Sequence, residues 1–228
     1  MWQAVAPRPA SARGVRRRSL GWIVAGLLSA ALLPVAAVST LRNAYLNELA
    51  IKRARLIRPR LVMLGDSLTL MGAPWGPRIG YDPLSTVTIA TGGSVLGQIA
   101  RGAEWAGRLR PRYVHVLAGT NDVLLGANDP HGFARSYARL IDELRARRLR
   151  VVVTLIPPTA GRRENARAAR FNAELRRVLE PRGVPLIDLW PTLGARGVIA
   201  PAYTIDGIHL NERGYRVWQS RIAQAVSA

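Results

Sequence analysis

Five short apolar runs, each bounded by glycine, proline or polar residues and separated by stretches long enough for a helix, constrain this chain more than any other feature. They cover residues 61–64, 87–90, 113–118, 151–156 and 184–187. Each is rich in Val, Ile or Leu, as strands buried on both faces of a parallel sheet are. Residues 95–109, 131–148 and 163–179 lie between the runs and have helical patterns, and a last such pattern spans 211–226. This alternation predicts an α/β domain, a central parallel sheet with helices on both faces. In that architecture ligands bind outside the carboxyl ends of the strands. No internal repeat or low-complexity tract breaks the region, so residues 60–228 are expected to form one domain.

The chain ahead of that domain has a different character. Residues 1–18 carry five arginines and no acid, and residues 19–41 carry no charge. At 1.5 Å per residue the uncharged run is long enough to cross a hydrocarbon core of about 30 Å. The sequence therefore predicts a basic segment over 1–18, a transmembrane signal anchor over 19–41 and a helical stalk over 42–59. The run exceeds the length usual for a signal-peptide core, which favours an anchor that is kept. Val35-Ala36-Ala37 leaves cleavage and secretion as the alternative. The Arg16-Arg17-Arg18 cluster, with only Arg42 close on the far side, places the amino terminus inside and the domain on the periplasmic or extracellular side.

Charge and cysteine content narrow the classes. Lys and Arg total 33 against 14 Asp and Glu, a formal charge of +19, and every basic residue but Lys52 is an arginine. Such a balance suits nucleic acid or an anionic membrane surface. The arginines, however, are spread along the helical stretches with no interleaved aromatics and no recognition motif, so they read as solvated helix faces and no nucleic-acid partner is expected. The absence of cysteine excludes disulfides, thiol nucleophiles and thiolate metal sites. There is no His-rich or Asp-rich ligand cluster either, and no metal or other cofactor is expected.

Polar residues gather where the predicted strands end. Gly65-Asp66-Ser67 follows the first strand, Thr91-Gly92-Gly93-Ser94 the second, and Gly119-Thr120-Asn121-Asp122 the third. Each block alone has an ordinary reading as a turn or a helix cap. Asp206-Gly207-Ile208-His209 stands before the last helix and places a carboxylate three residues ahead of one of three histidines. A serine hydroxyl needs a general base at neutral pH, and imidazole needs a partner to fix its tautomer and stabilise its cation.

Taken together, "GDSL", "TGGS", "GTND" and "DGIH" resemble the four blocks of the SGNH, or GDSL, hydrolase family. The likeness covers about residues 61–228 and implies a flavodoxin-like three-layer α/β/α fold. It also implies Ser67 as nucleophile, His209 as base and then acid, and Asp206 as the partner that orients it. The implied oxyanion hole is the Ser67 N–H, the N–H of Gly93 or of Gly92, and the Asn121 side chain. The family usually has Asn just before the second-block glycine, whereas Ile89-Ala90-Thr91 stand here.

Asp66 and Asp122 are expected to shape their loops, His115 to be a buried core residue, and His131 to cap a helix or lie at the surface. Leu70, Met71, Pro74 and Trp75 line an acyl pocket or pack in the core. The expected activity is a serine esterase acting on short-chain or O-acetyl esters, small-molecule, glycan or lipid, in the cell envelope. Lysophospholipase, thioesterase and acyltransferase activity are its alternatives, with a non-catalytic binding module behind them.

Overall fold

The computed structural model describes residues 59–227. Five strands form one sheet: β1 (Leu61–Gly65), β2 (Thr86–Ala90), β3 (Tyr113–Leu117), β4 (Arg150–Thr154) and β5 (Leu186–Ile187). All four pairings are parallel and the order is β2-β1-β3-β4-β5. The connection from β1 to β2 leaves in one direction across the sheet, and those from β3 onward in the other. The topological switch point, where a doubly wound sheet opens a crevice, therefore lies between β1 and β3.

Alternate side chains divide the strands between two cores. Val62, Leu64, Val114, Val116, Val151 and Val153 point into one layer, where they meet Ala106, Leu144 and Phe171. Leu61, Met63, Tyr113, Leu117 and Val152 point into the other, where they meet Trp75, Trp218 and Ile222. The first layer holds helices α3 (Leu96–Ala100), α4 (Gly102–Leu109), α6 (Pro130–Ala146) and α7 (Arg162–Leu179), with the short α5 (Thr120–Leu124) leading into it. The second holds α1 (Ser67–Met71), α2 (Trp75–Arg78), α8 (Trp190–Leu193) and α9 (Glu212–Ser227). A two-stranded hairpin, β6 (Gly194–Ala195) with β7 (Val198–Ile199), was not foreseen from the sequence.

Three departures from the predicted elements have local causes. The stretch 95–109 forms two helices rather than one, broken at Arg101. At the break a Cβ on Gly102 would lie 3.1 Å from Leu64 Cδ2, so a larger residue would push the Leu64 side chain by a few tenths of an ångström. β4 ends at Thr154 rather than at 156 because the Asn172 side chain takes over the backbone of the next turn. It accepts from the Ile156 N–H at 2.9 Å and donates to the Ile156 carbonyl at 2.8 Å. β5 starts at Leu186 and not at 184, since Pro185 has no N–H to give the ladder.

The predicted segments 1–18 and 19–41, and all but the end of 42–59, lie outside the described residues. Among the described residues no helix is long and apolar enough to cross a membrane.

Gly65 closes β1 directly under the site. A Cβ there would stand 2.0 Å from Thr69 Oγ1 and 3.1 Å from the Leu117 carbonyl. Gly65→Ala should therefore lower stability by about 1–3 kcal/mol, the range for overpacking a core. The buried Thr69 hydroxyl has no hydrogen-bond partner among the described residues. A denaturant titration should show the lowered midpoint, with Thr69→Ala relieving only part of the loss because the Thr69 Cβ would itself lie 2.6 Å from the new methyl. An unchanged midpoint in the single variant would contradict the packing account.

Candidate active site

The nucleophile candidate is set by its helix. Asp66 caps α1, its side chain accepting the Leu68 N–H at 3.0 Å, so Ser67 becomes the first helical residue at the carboxyl end of β1. There its own N–H has no partner within the helix. Ser67 is half-buried and Asp66 fully buried. Two aromatic donors fix the helix from behind: Trp75 Nε1–H donates to the Thr69 carbonyl at 2.8 Å, and Tyr215 O–H to the Leu68 carbonyl at 2.8 Å. Trp75 is thus a core residue, stacked edge-on against Trp218 with ring centres 4.9 Å apart. Leu70 is half-buried, while Met71 and Pro74 are exposed.

His209 reaches Ser67 from the far end of the sequence. Its Nε2 lies 2.9 Å from Ser67 Oγ, and its Nδ1 lies 2.6 Å from Asp206 Oδ2. The other carboxylate oxygen of Asp206 accepts the Ile208 and His209 N–H groups at 2.9 and 2.7 Å. The hydrogen bond with the His209 ring, aided by those two N–H donors, holds the Asp206 carboxyl down at about 2. It therefore stays ionised at any pH where the imidazole works.

Thr204 shapes this loop. Its hydroxyl donates to the His209 carbonyl at 2.7 Å and accepts the Gly207 N–H at 2.8 Å. Gly207 has φ +89°, and a Cβ on it would meet Ala160 Cβ at 2.7 Å. Asn211 accepts the Arg213 and Gly214 N–H groups and so caps α9.

The second and third blocks are laced together. The Asn121 amide donates to the Ser94 carbonyl at 2.9 Å, leaving its other N–H without a partner among the described residues. Asp122 Oδ2 accepts the Leu96 N–H at 2.9 Å, so it holds the start of α3, the loop-shaping role expected of it. Burial pushes its carboxyl upward. Gly93 has φ +76°. Gly92 faces the nucleophile, its missing Cβ lying 3.9 Å from Ser67 Cβ. Sequence reasoning missed Ser94 and Thr204: one acts through its carbonyl, which leaves no side-chain signal, and the other looks like any loop threonine.

The remaining histidines fall where expected. His115 is fully buried in β3, its Nε2 at 2.7 Å from Thr154 Oγ1, and burial drops it to about 3. His131 is exposed and lies 2.9 Å from Glu174. Among the described residues no group of three His, Asp or Glu side chains is placed to hold a metal.

A parallel sheet with a serine, an imidazole and a carboxylate in hydrogen-bond sequence at its carboxyl edge is the framework of an ester-hydrolysing enzyme. The chain belongs to the GDSL-like lipase/acylhydrolase family, whose model matches residues 63–217. Solved structures share the fold. A GDSL-like lipase from Bacteroides thetaiotaomicron superposes with a TM-score of 0.65 at 22% identity, covering 75% of this chain and 88% of its own. An acetyl xylan esterase gives 0.62 at 19% identity over 73% of this chain and 98% of its own. A carbohydrate esterase of family 3 from Talaromyces cellulolyticus gives 0.59 at 20% identity over 74% and 98%. No curated protein matches the chain.

Asp66 offers a test of the buried electrostatics. Burial raises its carboxyl from 3.8 to about 6, opposed by the Leu68 N–H. The folded state thus binds this proton more tightly than the unfolded chain does. The group's contribution to stability is full below about pH 4 and is lost as the pH rises to about 6. Asp66→Asn keeps the acceptor for Leu68 and removes the charge. It should melt above the wild type at pH 7, with the gap closing at pH 4; a gap independent of pH would contradict the assignment.

Proposed function

We propose that the protein is a serine esterase that works through an acyl-enzyme on Ser67 and acts on short acyl esters, O-acetyl groups foremost. The observation that carries this reading is the unbroken chain from Ser67 Oγ through His209 to Asp206, at 2.9 and 2.6 Å. His209 Nε2 takes the serine proton as Oγ attacks the ester carbonyl, while Asp206 steadies the imidazolium. His209 then gives that proton to the leaving alcohol and later draws one from water to release the acid. The oxyanion is received by the Ser67 N–H, the N–H of Gly93 or of Gly92, and the free N–H of Asn121. No step calls for a metal or organic cofactor.

Two observations favour a short acyl group. Trp75 and Leu68, which could have lined an acyl channel behind the nucleophile, are spent on the core. Fold relatives include enzymes named for acetyl xylan and for carbohydrate esters. A second reading, a longer acyl chain as in a lysophospholipase or thioesterase, draws on three exposed apolar residues: Met71, Leu125 and Ile205. Met71 and Leu125 stand one helical turn beyond Ser67 and Asn121, and Ile205 adjoins Asp206. Rates on p-nitrophenyl esters from acetyl to decanoyl separate the two, and the first reading predicts a maximum at two to four carbons.

Asn121→Asp tests the oxyanion role. It keeps the turn but sets a carboxylate where negative charge develops. Loss of one such donor is worth about 10²–10³ in kcat. The variant should lose at least that much with KM little changed and its melting temperature kept, and a kcat within about threefold of wild type would remove Asn121 from the hole.

We also propose that residues 19–41 anchor the enzyme in the membrane, with the domain on the periplasmic or extracellular face. The supports are the uncharged run and its basic flank. Full-length protein should then stay with membranes in alkaline carbonate. Release, or a mature amino terminus near residue 38, would favour a secreted enzyme instead.

A further inference from the structure

The arginines that look scattered in sequence are partly gathered by the fold. Leu61 pairs with Tyr113 and Tyr113 with Arg150, so Arg60 and Arg112 stand side by side just ahead of β1 and β3, and Arg150, one residue further along the register, opens β4 beside Tyr113. Backbone bonds keep the row in line, Tyr113 N–H to the Arg60 carbonyl at 2.9 Å and Arg150 N–H to the Arg112 carbonyl at 3.3 Å. With strands about 4.8 Å apart, the row is about 10 Å long. The turns feeding β3 and β4 add Arg110 and Arg148, exposed and left-handed at φ 48° and 62°. Glycine would hold that backbone with less strain, yet both positions keep a cation.

Arg145 and Arg147 at the end of α6 and Arg182 after α7 extend the patch. Against these eight arginines the same edge carries Asp82, Asp142, Glu143 and Glu180. Arg147 pairs with Glu143 and Arg182 with Asp142, both at 3.3 Å across exposed surface. Arg60, Arg110, Arg112, Arg148 and Arg150 make no ion pair among the described residues. The guanidinium of Arg60 lies over the Tyr81 ring, and those of Arg112 and Arg150 over Tyr113.

Helix dipoles account for part of the patch, since basic residues are favoured where a helix ends. That covers Arg145 and Arg147 but not Arg60 or Arg150, which begin strands. The opposite edge, holding the site, carries Asp66, Asp122, Asp129, Asp188 and Asp206 in its loops. Two further features mark the basic edge. A cavity of about 330 Å³ opens there, lined by Arg145, Arg150 and Tyr113. Leu84, 43% exposed, projects from the turn into β2. The described chain also begins on this edge, directly after Arg53, Arg55 and Arg58 in sequence.

We propose that the amino edge of the sheet docks onto the anionic phospholipid surface of a bilayer, leaving the opposite edge, with Ser67, turned to solvent. A flat row of unpaired guanidinium groups beside an apolar side chain suits lipid phosphates at an interface. Each basic residue brought to such a surface strengthens the association by about fivefold.

The test uses the full-length chain, whose lack of native cysteine allows single labels. A fluorophore is placed at Ala146→Cys on the basic edge or at Ala202→Cys near the site, and the protein is incorporated into vesicles containing a headgroup-linked quencher. With phosphatidylglycerol at 30% of the lipid, the label at 146 should be quenched at least threefold more than in phosphatidylcholine, and the label at 202 should not respond. Arg60, Arg112, Arg148 and Arg150 changed together to Gln should abolish the difference while esterase activity is retained. Equal quenching in the two lipids, or quenching at 202 alone, would overturn the proposal. Tight binding of single-stranded RNA by the same arginines with no lipid-dependent quenching would overturn it as well.

Discussion

The hydrogen bond between Ser67 and His209 joins residues 142 positions apart, and the site exists only while α1, which carries Ser67, and α9, whose preceding loop carries His209, stay in place. An aromatic cluster on one face of the sheet keeps them there. Tyr215, on α9, donates to the backbone of α1, and Trp75, whose ring packs beside it, donates to the next carbonyl of the same helix. Trp218 packs against Trp75 and donates to Thr154 on β4, which in turn meets His115 on β3. The nucleophile helix α1, the helix α9 that follows the histidine loop and two central strands are therefore tied by side chains that are nearly all buried. This explains why His115, the histidine most removed from solvent, belongs to the frame: burial keeps its ring neutral, and its bond to Thr154 joins two strands beneath the site.

Around that frame the loops do the local work. Asp66 is held as a helix cap, which turns Ser67 outward and leaves its N–H free. Asn121 and Asp122 reach across to Ser94 and Leu96, so the third strand's loop fixes the shape of the second's. The Asp206 loop closes on itself through Thr204. Ser67 and His209 are thus set within their own loops, while Asn121 is positioned by a neighbour from another strand end, in the crevice of a topological switch point.

Much of this was legible in the sequence, for physical reasons. A strand buried on both faces leaves a short apolar run, and a site at strand ends leaves its polar residues just after those runs, so Ser67, Asn121, Asp206 and His209 could be named in advance. What escaped depended on geometry that no single segment carries. The close approach of Gly102 to Leu64 is a distance between a helix and the sheet, and Asn172 takes up the backbone of Ile156, just past β4, from 16 residues away. The side chains after Ser67 were ambiguous because exposure of Met71 and burial of Trp75 follow from where α9 lies. The basic edge was hidden for a related reason: only the parallel sheet brings Arg60, Arg112 and Arg150, which are far apart along the chain, to one end of neighbouring strands.

The central claim is that the His209–Asp206 pair makes one serine, Ser67, a nucleophile. A fluorophosphonate reacts with such a serine by forming a P–O bond and expelling fluoride. Peptide mapping by mass spectrometry after that reaction is the most direct measurement. The account predicts one phosphonyl group per chain, on Ser67, with loss of esterase activity in step with its incorporation. A label on any other residue, or continued ester hydrolysis by fully labelled protein, would contradict it.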